Sequence, residues 1–354
     1  MAPHAGTRTL VDPAQLHRVL LVELNRMGDV VHALSAARWM RNWLPDAELV
    51  MLVDARYGCL AELETSVDRV ITSEKSDSVR GFARTVRQVR QERFDLVCSL
   101  SPIRRNAVVT VLGRRKFAVG YLAIGRRTPN FLRKTHVRSL GFQLPHRERY
   151  GFDHIAEAPR RVCRALGIDT KDSPGPLLSV GSSSRGSSGD PYIVMHPFAG
   201  WRFREWPQES VRGLVKEILD TTGSSVVLVG SDGDRGRMDS LMNSLSHEGR
   251  VRSYAGLPLD KLAAVLEQAT LFIGTDSGPY QLSVWLGTPS IGLFGPAPPE
   301  ITGSRRASDR TIYYRLECSP CNQHRCVRSE DPCMHRITVT DVAVQVRQML
   351  ASPR

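Results

Sequence analysis

The stretch Arg18–Leu44, RVLLVELNRMGDVVHALSAARWMRNWL, decides the fold. Arg18 to Leu24 is an apolar run of strand length, and Val30 to Leu44 repeats its apolar residues at helical spacing. Only Asn25 to Asp29 separate them, and Gly28 gives the backbone freedom that a tight strand-to-helix turn needs. A buried strand that passes at once into a helix predicts a parallel sheet with crossover helices.

The same alternation runs outward. Glu48–Val53, Arg69–Thr72 and Phe94–Ser99 read as strands, and Ser78–Glu92 and Ile155–Leu166 as helices. Asp172–Pro191, DSPGPLLSVGSSSRGSSGDP, has no such periodicity and reads as a flexible linker. Beyond it, Tyr192–His196, Ser225–Gly230, Leu271–Gly274 and Ser290–Phe294 are strands. Glu209–Thr221, Leu259–Ala269, Gly278–Leu286 and Thr340–Leu350 have helical spacing. The expectation is an α/β protein of two doubly wound domains, 14–172 and 192–354, joined by a Ser/Gly/Pro-rich linker at 173–191. Ligands of such folds bind at the carboxyl ends of the strands, so a cleft between the two sheets is the expected site.

Composition narrows the class. A chain of 354 residues suits two domains better than one. With 41% hydrophobic and 24% charged residues it is neither disordered nor a coiled coil. No apolar run approaches the roughly 20 residues of a membrane-spanning helix. The N-terminal residues lack the pattern of a secretory signal, which predicts a cytoplasmic protein. The formal net charge is +12, and Ser101–Arg164 alone holds fifteen basic against three acidic residues. Such an excess is either a solvated surface or a face for an anionic partner. Nucleic acid is disfavoured, because few aromatics such as Phe117, Tyr121 and Phe131 interleave the cations and no recognition module is present.

Three loops carry candidate chemistry. In the first, Gly28 lets the backbone approach a ligand, His32 lies one turn on, and Asp29 is either the helix N-cap or a carboxylate presented to the cleft. In that second role it could act as general base toward a hydroxyl. The second loop, His196–Pro207 (HPFAGWRFREWP), places small residues after a strand and cations after those, a pattern suited to phosphate or to an ordinary covering loop. The third, Gly274–Pro279 (GTDSGP), offers Thr275, Ser277 and backbone amides to phosphate oxygens, and Asp276 as N-cap or acceptor for sugar hydroxyls. Phosphate donors beside a polyol acceptor fit a nucleotide-sugar. Neither half has a complete dinucleotide or Walker motif.

LLVELNRMGDVVHALSAAR, HPFAGWRFREWP and FIGTDSGPYQLSVWLGTPSIGLFGPAPP, in this order and spacing, resemble glycosyltransferase family 9, the ADP-heptose:lipopolysaccharide heptosyltransferases. FDHIAEAPRRVCRALGI is similar to the family's helix before the linker. The resemblance implies a GT-B fold, with two Rossmann-like domains facing a central cleft, the acceptor on the first and the donor on the second. It implies metal-independent, inverting transfer of heptose from ADP-heptose to a hydroxyl of the lipopolysaccharide inner core. Asp29 then matches the catalytic base. Arg204 neutralises the leaving diphosphate, where the family usually has Lys, and His196 and Gly200 belong to the same donor loop. Asp276 contacts the sugar, with Thr275, Ser277 and Gly278 beside the diphosphate. Asp232 lies near the ribose contact and Leu257 near the adenine. The family commonly has His where this chain has Gln281. The basic segment would meet an anionic glycolipid at the inner membrane surface through Arg104, Arg105, Arg126, Arg127, Arg133 and Lys134, with Gly28 and His32 also on the acceptor side.

Cys318, Cys321, Cys326 and Cys333 fall within sixteen residues and are either ligands of a structural Zn or Fe or free thiols; catalysis needs neither. Two other readings stay open: transfer to a small molecule or protein, and nucleotide-sugar binding without turnover.

Overall fold

The computed structural model of the chain describes residues 11–74, 79–121, 137–139, 154–171, 190–245, 249–321 and 325–351. The chain divides into two compact units, Met1–Gly175 and Pro176–Arg354. The segment read as a linker lies almost wholly outside the described residues.

In the first unit six parallel strands form one sheet: β1 (Arg18–Glu23), β2 (Glu48–Asp54), β3 (Arg69–Ser73), β4 (Phe94–Ser99), β5 (Arg115–Gly120) and β6 (Val137–Ser139). Their order is β3-β2-β1-β4-β5-β6. The helices are α1 (Met27–Trp43), α2 (Gly58–Glu62), α3 (Val79–Glu92), α4 (Arg104–Leu112) and α5 (Glu157–Ala165). Strands covered on both faces read as continuous apolar runs. Accordingly β1 is buried at every residue after Arg18, and β4 throughout. Leu20, Val22, Val50, Leu52 and Val97 pack with Val86 and Val89 of α3.

The second unit repeats the plan with β7 (Tyr192–His196), β8 (Ser225–Gly230), β9 (Val251–Ala255), β10 (Leu271–Thr275), β11 (Ser290–Phe294) and β12 (Arg310–Tyr313). All are parallel, in the order β12-β11-β10-β7-β8-β9. The helices are α6 (Gln208–Thr221), α7 (Arg235–Asn243), α8 (Leu259–Gln268), α9 (Gly278–Trp285), α10 (Pro299–Thr302) and α11 (Val339–Ala351). Trp206 is 3% exposed and donates its indole N–H to the carbonyl of Ile337, fastening the start of α6 to the segment before α11.

In each sheet the first strand of its unit lies beside the fourth, and the winding direction reverses there. That reversal between β1 and β4, and between β7 and β10, opens a crevice at the strand carboxyl ends. Among the described residues no helix is long and apolar enough to cross a membrane.

The first unit contains a buried ion pair, Arg38 of α1 with Glu64 at 2.8 Å, in which Glu64 is 1% exposed. Removing one partner strands a charge in the interior, so Glu64→Ala should lower unfolding free energy by about 3 kcal/mol in chemical denaturation.

Candidate active site

At the first reversal, β1 ends on Glu23 and α1 begins at Met27, three residues before the apolar repeat. Gly28 and Asp29 are therefore in the first helical turn. Arg26 occupies the N-cap and makes no side-chain capping hydrogen bond. Asp29 is not the N-cap. Its carboxylate receives the backbone N–H of Arg26, half of the reciprocal arrangement known at helix starts, and also a hydrogen bond from Asn25. Asp29 keeps some solvent exposure, yet burial outweighs these bonds and the nearby Arg26 charge and pushes its carboxyl up to about 6. His32, one turn on, meets His154 edge to face with ring centroids 5.7 Å apart.

Behind Asp29 stands a residue that the sequence reading missed. Glu23 is 1% exposed and accepts hydrogen bonds from the Ser101 hydroxyl at 2.9 Å and from Asn25 N–H at 3.1 Å. Burial first, and then the charge of Asp29, push its carboxyl up to about 8. At neutral pH Glu23 holds its proton while Asp29 gives its proton up. Two neighbouring carboxyls are thereby held in different protonation states. The available signal was the single acidic residue inside the apolar run RVLLVEL.

Asn106 completes this cluster. Its side-chain oxygen receives Leu24 N–H at 3.0 Å, and its amide donates to Val22 O and Ser101 Oγ, both at 3.1 Å. Arg105 is committed to structure: it donates to Ser73 Oγ and Glu74 O and lies over the Phe82 ring. Arg104 beside it is exposed and has no partner among the described residues. Arg126, Arg127, Arg133 and Lys134 lie outside the described residues.

At the second reversal the loops after β7 and β10 are joined by side chains. His196 Nδ1 and Ser277 Oγ are 3.1 Å apart, with Ser277 at the N-cap of α9 and Gly278 as that helix's first residue. Burial pushes His196 down to about 4, so its ring is neutral at neutral pH. Arg204 pairs with the Asp276 carboxylate at 3.0 Å, donates to the Asp276 carbonyl at 3.2 Å and stacks over Trp201. Burial outweighs Arg204 and holds Asp276 above the usual carboxylate range. Thr275 is 1% exposed, and its buried hydroxyl has no hydrogen-bond partner among the described residues. Gln281 is buried and donates to Thr302 O at 2.7 Å, tying α9 to α10. Gly200, in the loop after β7, is open, with nothing near enough to hinder an added side chain. Asp232 follows β8, faces solvent and pairs with Arg235 at 2.7 Å. Leu257 is half-buried after β9. All four loops therefore leave the same edge of the sheet.

The structure gives the cysteine cluster no support as a metal site. Cys318, Cys321, Cys326 and Cys333 form no disulfide, and no group that could hold a metal ion is found among the described residues. Burial and the neighbouring thiols push Cys333 up to about 11.

Two Rossmann-type units with polar clusters at their reversal points are the architecture of GT-B glycosyltransferases. The model of glycosyltransferase family 9 (heptosyltransferase) matches residues 82–330, and the chain belongs to this family. It is 25% identical to lipopolysaccharide heptosyltransferase 1 of Pseudomonas aeruginosa over 355 residues, covering 95% of this chain and 99% of the relative. Lipopolysaccharide heptosyltransferase 1 of Salmonella typhimurium is 23% identical, covering 81% and 90%. Among solved structures, a family 9 glycosyltransferase from Veillonella parvula superposes with a TM-score of 0.78 at 18% identity, covering 94% of this chain and 97% of the other. The E. coli heptosyltransferase WaaC with ADP gives 0.71 at 18% identity, covering 94% and 99%.

Unfolded Glu23 titrates near 4.5 and folded Glu23 near 8, so the unfolded chain releases this proton first as pH rises. Stability should therefore fall as pH rises from about 4.5 to about 8. Glu23→Gln should remove that decline and melt above the wild type at alkaline pH in thermal scans.

Proposed function

We propose that the enzyme transfers a heptose from ADP-heptose, with inversion, to a hydroxyl of the lipopolysaccharide inner core. Asp29 is the base. It takes the acceptor's proton as that oxygen forms a bond to the anomeric carbon, and the bond from that carbon to the diphosphate breaks. ADP leaves with the bonding electrons, and Arg204 compensates the charge. A guanidinium bonded on one side to Asp276 still has donors for phosphate oxygens. Asp276 is assigned to sugar hydroxyls, with Ser277 and Gly278 beside the diphosphate and Asp232 and Leu257 toward the nucleoside. His196 and Gly200 shape the donor loop, while Gly28, His32 and Arg104 serve the acceptor. No step requires a metal. The enzyme works in the cytoplasm, where its anionic glycolipid acceptor brings it to the inner membrane surface.

The observation that supports this most is Asp29 itself: a carboxyl at the first reversal point, part-exposed and titrating near 6. A base poised just below working pH is ionised yet still proton-seeking. The family relatives named for lipopolysaccharide heptosyl transfer supply the donor and acceptor classes.

ADP release from ADP-heptose should depend on a glycolipid acceptor, and other nucleotide-sugars should fail. The logarithm of kcat/KM should fall below pH about 6, as Asp29 takes up a proton. Asp29→Asn should cut turnover by about 10²–10⁴-fold with ADP affinity unchanged. Near-normal turnover would remove Asp29 from its role. Arg204→Ala should weaken ADP binding by about 2 kcal/mol, the range for a charged hydrogen bond.

A further inference from the structure

Arg80, Arg84, Arg87 and Arg90 of α3 recur at three- and four-residue spacing and so share one face of the helix. All four are exposed. Arg93, just after α3, and Arg114, just before β5, extend this face. With Arg87 and Arg90 they line an open groove of about 600 Å³ that contains no acidic and no aromatic side chain. None of the six guanidinium groups has a hydrogen-bonding or ionic partner among the described residues.

The neighbouring charges are, by contrast, all engaged. Arg115 donates to the carbonyls of Val111 and Gly113, Lys116 pairs with Asp95 at 2.7 Å, and Glu92 is held by Arg18 and Arg69. The six arginines are thus left over after the fold has met its own needs. Arg93 adds a second sign. Its φ is 56°, the left-handed conformation at a helix end where glycine is favoured. A long cationic side chain kept there at a backbone cost points to a use for the cation.

The groove lies where β4 and β5 begin, whereas Asp29 and Ser101 follow strand ends. In a parallel sheet these are opposite edges, so the groove takes no part in transfer. Four helical arginines spread over about 15 Å match an array of phosphates better than a single one. Backbone amides do not converge there, as they would around a bound phosphate. Without aromatics the groove has no platform for nucleic-acid bases. Leu112, 39% exposed and two residues before Arg114, sets an apolar side chain at the rim.

We infer that this arginine face docks the enzyme on an anionic phospholipid surface. The choice of a bilayer over other phosphates rests on the proposed glycolipid acceptor. The charge complementarity stands without it. The basic segment at Ser101–Arg164 contributes Arg114, but the main cations come from α3.

The test is co-flotation of the full chain with vesicles of phosphatidylcholine alone or mixed with phosphatidylglycerol. The wild type should float only with the anionic vesicles and be released by salt. Each arginine removed should weaken partitioning about fivefold, so Arg87→Ser/Arg90→Ser/Arg114→Ser together should lose about a hundredfold. Arg93→Gly is the diagnostic variant, because it relieves the left-handed residue while deleting a cation. It should melt no lower than the wild type yet float less well. Transfer to a delipidated, soluble acceptor should be unchanged in both the triple variant and Arg93→Gly. Wild type that ignores anionic vesicles but transfers heptose overturns the dock and leaves the acceptor reading intact. Vesicle binding without transfer does the reverse. Competition by millimolar inorganic phosphate, or tighter binding to duplex DNA than to vesicles, also overturns the dock.

Discussion

Where a doubly wound sheet reverses direction, the chain leaves two adjacent parallel strands toward opposite faces, and the ends of both strands lose their ladder partners. Buried backbone groups must nevertheless be satisfied. In the first unit Asn106 does this across β1 and β4, receiving Leu24 N–H and donating to Val22 O. In the second, the His196–Ser277 bond and the Arg204–Asp276 pair join the loops after β7 and β10. The same topological constraint therefore produces, in each unit, a polar cluster at the end of a crevice. The chemistry is recruited from side chains that first close the reversal.

The two clusters have different electrostatics. The first is acidic and poorly solvated. Glu23 is held protonated by burial and by Asp29, and Asp29 is itself raised. Raised carboxyls cost the fold stability once they ionise, which is the form a base needs. Burial and ionisation are thus opposed at Asp29, and the bonds it accepts from Arg26 and Asn25 limit that conflict. The second cluster is a cation against a buried carboxylate beside a neutral imidazole. It can offer a positive end to a diphosphate while its acceptor oxygens face hydroxyls. The neutral His196 keeps a second charge away from Arg204.

The legible part of the fold was the buried part. β1, β2, β3, β4, β7, β8, β10 and β11 were read within about a residue or two. The other strands were harder. β9 alternates exposed and buried residues, β12 is half-exposed, and β5 starts on the basic pair Arg115–Lys116. α4, in a segment dominated by arginine, was not read as a helix. At the site, Asp29, Arg204 and Asp276 stood out because their loops follow apolar strands directly. Glu23, Ser101 and Asn106 did not, since their importance lies in contacts across β1 and β4. Thr275, as the last residue of a central strand, is buried, which its sequence context as a loop residue did not show.

Charge was the least legible property, because counting cannot tell which ions are paired. The window Ser101–Arg164 has the larger excess, yet Arg105, Arg115 and Lys116 within it are bound to the protein's own groups. The fifteen residues Val79–Arg93 hold five arginines against Glu92, which is itself engaged, so nearly all of that charge reaches solvent unopposed. What a partner feels is the residual charge after internal pairing, on one helix face and at fixed spacing. By that measure the largest unpaired positive cluster among the described residues of the first unit lies at the strand-start edge of the sheet, opposite the edge that carries Asp29.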